Sequence, residues 1–199
     1  METEKLDLGK VVFDGNNRIA VEDLEMLERC CDMCEAKQII EIGSADGGSS
    51  VVLGAKAKER AGHLYCIEMK TKQRMVDNMT RHGLEGFYTL IAKASPWVPL
   101  DILPASIDLL FIDGRHDTRW ALVDYHYFEP LVRPGGIIVF HDTSGNCAED
   151  RRQPDYGQAG YAGLVLRAIG IILETDRDKL EPVDSSIAHH GGAIAFRKQ

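Results

Sequence analysis

The strongest constraint on this chain comes from one short segment, in which an apolar run leads into a glycine-rich turn. Residues 38–42, with the sequence QIIEI, have the length and composition of a buried parallel strand. Residues 43–49 are small and polar and include three glycines, and residues 51–56 are typical of a helix. Such a turn lets backbone N–H groups and the N-terminus of the helix approach a ligand closely. We therefore interpret this segment as a cofactor loop.

The same order of strand and helix recurs along the chain. Four further strands of this series are predicted at residues 63–68, 87–92, 107–112 and 137–140. Two later β-prone pieces, residues 180–185 and 192–197, are separated by few residues and should pair antiparallel. The alternation predicts an α/β fold: a doubly wound, mostly parallel, Rossmann-like sheet in three layers (α/β/α) with a C-terminal antiparallel hairpin.

The chain of 199 residues has the length of one ordinary domain with a single core. Residues 21–34 carry apolar side chains at a helical period, and residues 1–36 are expected to form an N-terminal helical cap. Residues 143–160 are polar, lack a clear apolar period and are long for a connection. We interpret them as a lid loop that contributes substrate contacts.

Composition restricts the partners and the compartment. The net charge of −8, without a dense Lys/Arg face, argues against a nucleic-acid partner. The sequence has neither an apolar run near the ~20 residues that span a bilayer nor a signal peptide, so a cytoplasmic protein without a membrane partner is expected. Five cysteines, an odd number, indicate free thiols in a reducing compartment. Cys31 and Cys34 have the spacing of half a zinc site, and we interpret them as helix packing because no second pair completes it.

Residues capable of chemistry collect where the predicted strands end. Because the carboxyl ends of parallel strands meet along one edge of a sheet, these residues should lie close together. They are Glu41, Glu68, Ser95, Asp113 with His116, and His141 with Asp142. A dinucleotide-binding loop would need glycine where this chain has Ala45, so an NAD(P)-linked oxidoreductase is disfavoured.

Three motifs together resemble those of one enzyme class. The sequence EIGSADGGS at residues 41–49 resembles motif I of class I S-adenosylmethionine (SAM)-dependent methyltransferases, and residues 39–143 are similar to the small metal-dependent O-methyltransferases. The glycine loop, the acid that ends strand two and the Ala-Ser pair after strand three resemble the catechol type. The sequences FIDGRH at 111–116 and RPGGIIVFHD at 133–142 resemble the antibiotic-sugar and macrolide O-methyltransferases.

The resemblance implies a site for SAM. Residues 43–49 would hold the methionine part of the cofactor, with Ser49 near its carboxylate. Glu68 would accept hydrogen bonds from both ribose hydroxyls, and Ser95 would contact the adenine edge. The full set of residues implied in cofactor binding is Glu41, Gly43, Ser44, Ala45, Gly47, Ser49, Glu68, Met69, Ala94, Ser95 and Asp113.

The resemblance also implies a divalent cation. Asp113 and Asp142 would bind it, and Mg²⁺ is expected because it prefers oxygen ligands and water. Related enzymes offer Asp, Glu or Asn as a third ligand near the position of Asp142, whereas this chain has His141 before it and Thr143 after it. As a ligand, His141 would favour a softer ion such as Mn²⁺; otherwise it is a structural histidine at the strand end, and the ion could be absent.

His116 is the candidate general base, with Asp113 as the second catalytic residue. It lies three residues after Asp113, where the catechol-type enzymes keep their catalytic lysine. The ordinary histidine pKa of about 6.5 suits removal of a proton near neutral pH. Asp117, next in the chain, is interpreted as the N-cap of the following helix.

The sequence thus predicts transfer of a methyl group to a hydroxyl of a small molecule with the help of a divalent metal. Sugar, phenol and polyketide acceptors all remain open. The alternatives are a non-methylating relative such as a cephalosporin-hydroxylase-like protein, a non-catalytic SAM-binding module and, with less support, an NAD(P) oxidoreductase. A homodimer is the default expectation for the oligomeric state.

Overall fold

The structure is a computed structural model, and it describes residues 6–16, 19–104, 106–143, 162–186 and 191–199. The helices of this part are α1 (Leu8–Asp14), α2 (Val21–Met33), α3 (Gly48–Glu59), α4 (Gln73–Arg81), α5 (Thr118–Phe128) and α6 (Ala162–Asp176). The strands are β1 (Gln38–Ile42), β2 (His63–Ile67), β3 (Tyr88–Ile91), β4 (Ile107–Ile112), β5 (Val132–His141), β6 (Leu180–Ser186) and β7 (Ala193–Lys198). Short 3₁₀ turns lie at Ser95–Trp97, Leu100–Ile102, Glu129–Leu131 and Arg177–Lys179.

The seven strands form one sheet in the order β3-β2-β1-β4-β5-β7-β6. Strands β1 to β5 are parallel, while β7 lies antiparallel between β5 and β6. The strand order reverses between β1 and β4, which is where doubly wound sheets bind their ligands. The predicted fold class, including the C-terminal antiparallel hairpin, is confirmed.

Helices cover both faces of the sheet, because each central strand sends alternate side chains to opposite sides. In β4, Leu109 and Phe111 pack into the core that contains the buried residues of α2, α3 and α4. Leu110 and Ile112 point the other way, into the core that contains those of α5 and α6. Near-continuous apolar sequences in β1 and β4 follow from this burial on two sides.

Among the described N-terminal residues, helices α1 and α2 pack on the first of these two faces. Helix α2 spans nearly the predicted residues. Cys30 and Cys31 in this helix and Cys34, its C-cap residue, are buried free thiols in the core. The Sγ of Cys34 lies 3.2 Å from the carbonyl oxygen of Cys30, in agreement with a packing role. Helix α1 was not predicted as a separate element, because the helical period in the sequence was found only at residues 21–34.

Strand β5 differs most from its predicted extent. It begins at Val132, five positions before the predicted start at residue 137. It therefore includes the Pro-Gly-Gly residues, which were predicted to precede the strand. Pairing with β4 shifts register here, and Gly135 has a φ of +80°. These residues thus form a bulge inside the strand, whereas the predicted strand began only after them.

The predicted lid, residues 143–160, lies outside the described residues apart from Thr143. In the described parts of the chain, no helix combines the length and the apolarity needed to cross a membrane.

Candidate active site

The glycine-rich turn between β1 and α3 has a backbone that only certain residues adopt easily. Gly43 and Gly47 have φ values of +92° and +90°, and Ala45 between them also has a positive φ of +43°. A Cβ atom at Gly43 would lie 2.1 Å from the carbonyl oxygen of Asp113, so the turn touches the end of β4 directly. The predicted cofactor loop and the predicted catalytic loop are therefore immediate neighbours.

Glu41 lies beneath this turn and is fully buried. Its two carboxylate oxygens each accept a hydrogen bond of 2.5 Å, one from the Ser49 hydroxyl and one from the Ser50 hydroxyl. Glu41 therefore fixes the first turn of α3 from below. Both carboxylate oxygens face the protein interior in this structure, and a direct contact of Glu41 with the cofactor stays a prediction.

Burial raises the pKa of the Glu41 carboxyl to about 7, against the opposing effect of the serine hydrogen bonds. The folded chain therefore holds the proton more tightly than the unfolded chain does. Stability present in acid is lost as the pH rises through about 7, since a charged carboxylate must then be kept in the interior. A rise from the ordinary 4.5 to about 7 corresponds to roughly 3 kcal/mol.

Glu41→Gln should remove this pH dependence. Between pH 5 and 8, we expect the free energy of unfolding of the native chain to fall by roughly 3 kcal/mol relative to the variant, because glutamine never ionises. Urea unfolding of both proteins at several pH values measures the difference, and every other titrating group cancels in the comparison. Parallel curves for the two proteins would contradict the expectation.

Glu68 follows β2 and is held against the glycine turn by backbone donors. Its Oε2 accepts from the N–H of Ala45 at 3.1 Å, and its Oε1 accepts from the N–H of Lys70 at 3.0 Å. A carboxylate has about four lone-pair positions, so further hydrogen bonds can be accepted from a ligand. Met69, the next residue, is 64% exposed beside it. Glu68 thus has the fixed orientation that recognition of a diol requires.

Ser95 lies in the turn after β3, and its hydroxyl donates to the carboxylate of Asp124 on α5. Both residues are buried, and burial raises the pKa of Asp124 to about 6, with the Ser95 hydrogen bond opposing and Asp117 adding to the rise. The hydroxyl that was expected at the adenine edge is therefore engaged inside the protein, and Ala94, just before it, is the N-cap residue of this turn. Ala94 and Ser95 as cofactor contacts stay predictions.

The sequence analysis did not identify Asp124. The sequence marks Asp124 only as an acid on the inward face of α5, which it shares with the buried residues Ala121, Tyr125 and Phe128.

Asp117 behaves as predicted: its carboxylate accepts from the N–H of Trp120 at 2.9 Å and caps α5. A cleft of about 530 Å³ opens beside this cap and is lined by Arg115, Asp117, Thr118, Arg119, Trp120 and Leu164.

Two carboxylates and two imidazoles meet where β4 and β5 end. Nδ1 of His116 lies 2.7 Å from an oxygen of Asp142, and its Nε2 lies 3.5 Å from an oxygen of Asp113. Nδ1 of His141 lies 3.0 Å from Asp113 and 3.6 Å from Asp142. Asp142 has a φ of +55°, which is uncommon for a residue with a side chain and is held here by its surroundings. The residues predicted as catalytic and metal-binding thus form one cluster.

The electrostatics of this cluster change the expectation for His116. Burial alone would lower its pKa, but hydrogen bonds and charge from Asp113 and Asp142 outweigh burial and raise the pKa to about 10. Burial alone would raise the pKa of Asp142, but the two imidazoles outweigh burial and hold this pKa well below its usual range. His116 is therefore an imidazolium near neutral pH in this state, whereas the sequence analysis assumed the ordinary value of about 6.5.

The cluster also contains a residue that the sequence analysis missed. Nε2 of His141 lies 3.0 Å from a carboxylate oxygen of Asp23, which belongs to α2. Asp23 lies on the buried face of α2 with Leu27 and Cys30, which follow it by four and seven residues. An acid among apolar residues at helical spacing was the feature of the sequence that could have identified it.

The donor set of the cluster fits a divalent cation. One atom each from Asp113, His141 and Asp142 can be chosen so that all lie within 4.8 Å of one another. Two carboxylates and one imidazole suit Mg²⁺ or Mn²⁺, and a metal-binding histidine commonly donates its other ring N–H to a carboxylate, as Asp23 allows here.

Comparison with known proteins agrees with this geometry. Residues 40–143, more than half of the chain, match the family described as a methyltransferase domain. The chain is 30% identical over 129 residues to a catechol O-methyltransferase of Niastella koreensis, covering 58% of this chain and 53% of that protein. It is also 31% identical over 111 residues to an uncharacterised protein of Acanthamoeba polyphaga mimivirus, covering 52% and 50%. The chain thus spans about half the length of these curated relatives.

Solved structures share the whole fold. The O-methyltransferase TomG of Streptomyces achromogenes, involved in tomaymycin synthesis and in complex with SAM, superposes with a TM-score of 0.72 at 19% identity, covering 99% of this chain and 92% of the other. An O-methyltransferase of Bacillus cereus in complex with SAH gives a TM-score of 0.71 at 16% identity, covering 100% and 93%. At these identities the likeness establishes the fold.

The fold and the strand-end site define a Rossmann-like α/β enzyme architecture. The matched family then decides the class: the chain belongs to the methyltransferase-domain family, as its motifs indicated.

Proposed function

We propose that this protein is a SAM-dependent O-methyltransferase that acts on a hydroxyl of a small molecule. The observation that carries the proposal is the direct contact between the two loops of the site: the backbone of Gly43 packs on the carbonyl oxygen of Asp113. A methyl donor held by the glycine turn would therefore lie beside the cluster of Asp113, His116 and Asp142. Sugar, phenol and polyketide hydroxyls all fit this chemistry.

The chain's own residues divide the binding of SAM between them. Glu68, oriented by the N–H groups of Ala45 and Lys70, would accept the ribose hydroxyls. The glycine turn and the N-terminus of α3 would receive the methionine carboxylate, because backbone N–H groups and the helix dipole favour an anion there. Glu41 supports this turn from below through Ser49 and Ser50.

The reaction needs alignment and removal of one proton. SAM, when bound, would supply the methyl group, which would pass from its sulfonium to the acceptor oxygen with release of a neutral thioether. The protein aligns the oxygen with the methyl group and excludes water. His116, whose Nδ1 is held by Asp142 at 2.7 Å, would take the hydroxyl proton on Nε2.

Asp113, Asp142 and His141 would hold a divalent cation, Mg²⁺ or Mn²⁺, which when bound lowers the pKa of the acceptor hydroxyl. The protonation of His116 is linked to the charge at these carboxylates. With both carboxylates uncompensated, the pKa of His116 is about 10. Positive charge placed against Asp113 and Asp142 would lower that pKa and make His116 available as a base.

Titration calorimetry tests the cofactor assignment. The native chain should bind SAM and not NAD, with or without Mg²⁺. Glu68→Ala should weaken SAM binding by roughly 10- to 100-fold, because hydrogen bonds to a charged group are lost. Glu85→Ala, which removes an exposed carboxylate outside the site, provides the matched control and should bind SAM normally.

Methyl transfer from labelled SAM to a panel of sugar, phenol and polyketide acceptors tests the activity. Binding of NAD in place of SAM would favour an oxidoreductase. Binding of SAM without transfer to any acceptor, with or without Mg²⁺, would favour a non-catalytic module or a non-methylating relative.

A further inference from the structure

A buried carboxylate connects the N-terminal region to the site. Asp23 on α2 is 1% exposed, and its Oδ2 lies 3.0 Å from Nε2 of His141, 118 residues further along the chain. Its Oδ1 accepts a hydrogen bond from the hydroxyl of Ser186, and the N–H of Gly192 donates to Oδ2 at 3.4 Å. Helix α2 and the segments of β6 and β7 thus converge on one side chain behind His141.

The contact with Asp23 determines which nitrogen of the His141 ring faces the strand ends. Oδ2 of Asp23 lies within hydrogen-bond distance of Nε2 of His141 and can accept a hydrogen bond from it, which favours the tautomer with the proton on Nε2. The other ring nitrogen, Nδ1, then faces Asp113 and Asp142, at 3.0 and 3.6 Å. A buried contact between an acid and a histidine is by itself weak evidence for a contribution to stability. The positions of these atoms indicate instead that Asp23 orients the His141 ring.

The residue at position 191 lies so close to Asp23 and His141 that it has no room for a side chain. A Cβ atom on Gly191 would lie 2.9 Å from Oδ2 of Asp23 and 2.9 Å from Nε2 of His141. Gly191 also has a φ of +119°, a conformation that suits glycine. The chain therefore closes around the contact between Asp23 and His141 from a third side.

We propose that Asp23 is a positioning residue for cation binding, which holds the His141 ring with Nδ1 directed at the space between Asp113 and Asp142. This inference rests on the cation of the proposed function and adds to it a residue from outside the strand ends. Carboxylates that accept from the distal N–H of a metal-binding histidine fix its tautomer and orientation, and their loss typically costs 10- to 100-fold in metal affinity.

Asp23→Asn tests the proposal, because asparagine keeps the shape of the side chain and removes its charge. Titration with Mn²⁺, followed by electron paramagnetic resonance without SAM or acceptor, should give an affinity roughly 10- to 100-fold below that of the native chain. Nitrogen-15 NMR of His141 in the presence of Mg²⁺ should show Nε2 protonated in the native chain and a mixture of tautomers in the variant. Circular dichroism verifies that the variant is folded.

Two further variants separate positioning from packing. Ser186→Ala removes the other side-chain donor to Asp23 without touching His141, and it should change Mn²⁺ affinity less than threefold. Gly191→Ala should part Asp23 from His141 and weaken Mn²⁺ binding although both side chains are intact.

The proposal is overturned if folded Asp23→Asn binds Mn²⁺ as tightly as the native chain, or if the native chain itself binds no divalent cation. Neither result depends on methyl transfer, so failure here is distinct from failure of the proposed methyltransferase activity. Conversely, loss of Mn²⁺ affinity in Asp23→Asn supports the proposal even where no acceptor has been found.

Discussion

Replacing His116 with alanine should lower the rate of methyl transfer by roughly 10²- to 10⁴-fold and leave the affinity for SAM unchanged. The reason is the proposed role of the ring: Asp142 holds Nδ1, and Nε2, 3.5 Å from an oxygen of Asp113, is the nitrogen that would take the proton. The glycine turn and Glu68, which would bind SAM, do not depend on this ring. Single-turnover kinetics with saturating SAM, together with calorimetry, measure the two quantities separately.

Alanine at this position also leaves the buried carboxylate of Asp142 without one of its partners, which by itself can destabilise a protein. His116→Asn is therefore the second variant, since its amide can still donate to Asp142 but cannot act as a base. His126→Ala, an exposed histidine on α5, is the matched control and should retain full activity. Normal turnover by folded His116→Asn would show that His116 is not the base.

Gly43→Ala should destabilise the protein strongly. Its Cβ would lie 2.1 Å from the carbonyl oxygen and 2.6 Å from the carbonyl carbon of Asp113, and neither backbone atom can move without displacing the end of β4. The φ of +92° adds the strain of a left-handed conformation, about 1–2 kcal/mol. We expect a loss of more than about 3 kcal/mol in the free energy of unfolding, measured by urea denaturation.

The chain offers a control that isolates the steric contact. Gly86 has a similar φ of +97°, but a Cβ atom there meets nothing within 4 Å. Gly86→Ala should therefore cost only the backbone strain, about 1–2 kcal/mol, and should retain SAM binding. If Gly43→Ala is no less stable than Gly86→Ala, then the close approach of the two loops does not constrain the site.

The fold could be predicted because its signals are local. Strands β1 and β4 are apolar on both faces, and the helices between strands carry their own periods, so each element is indicated by the few residues that form it. The same holds for the convergence of Asp113, His116, His141 and Asp142, because the ends of parallel strands meet at one edge. The bulge at Gly135 was missed because a Pro-Gly-Gly sequence also fits a turn, and only pairing with β4 distinguishes the two.

What the sequence could not supply depends on how distant elements approach one another. Asp23 and Asp124 are acids on helices, and their roles arise only when α2 and α5 pack against the strand ends. The direction of Glu41 could not be deduced, because residues on both faces of a buried strand are enclosed and the pattern does not distinguish them. The raised pKa of His116 results from its distances to Asp113 and Asp142, which the sequence does not give although it predicts that the strand ends meet.

The contact between Asp23 and His141 has a consequence for the order in which the protein is assembled. It joins residues 118 positions apart, and the N–H of Gly192 reaches Asp23 across 169 positions. Contacts of such separation form late, since a long loop must close before they contribute. During synthesis, helix α2 and strands β1 to β5 can therefore associate while the pocket behind His141 is still open. We therefore expect the site to reach its final geometry only after β7 has paired with β5.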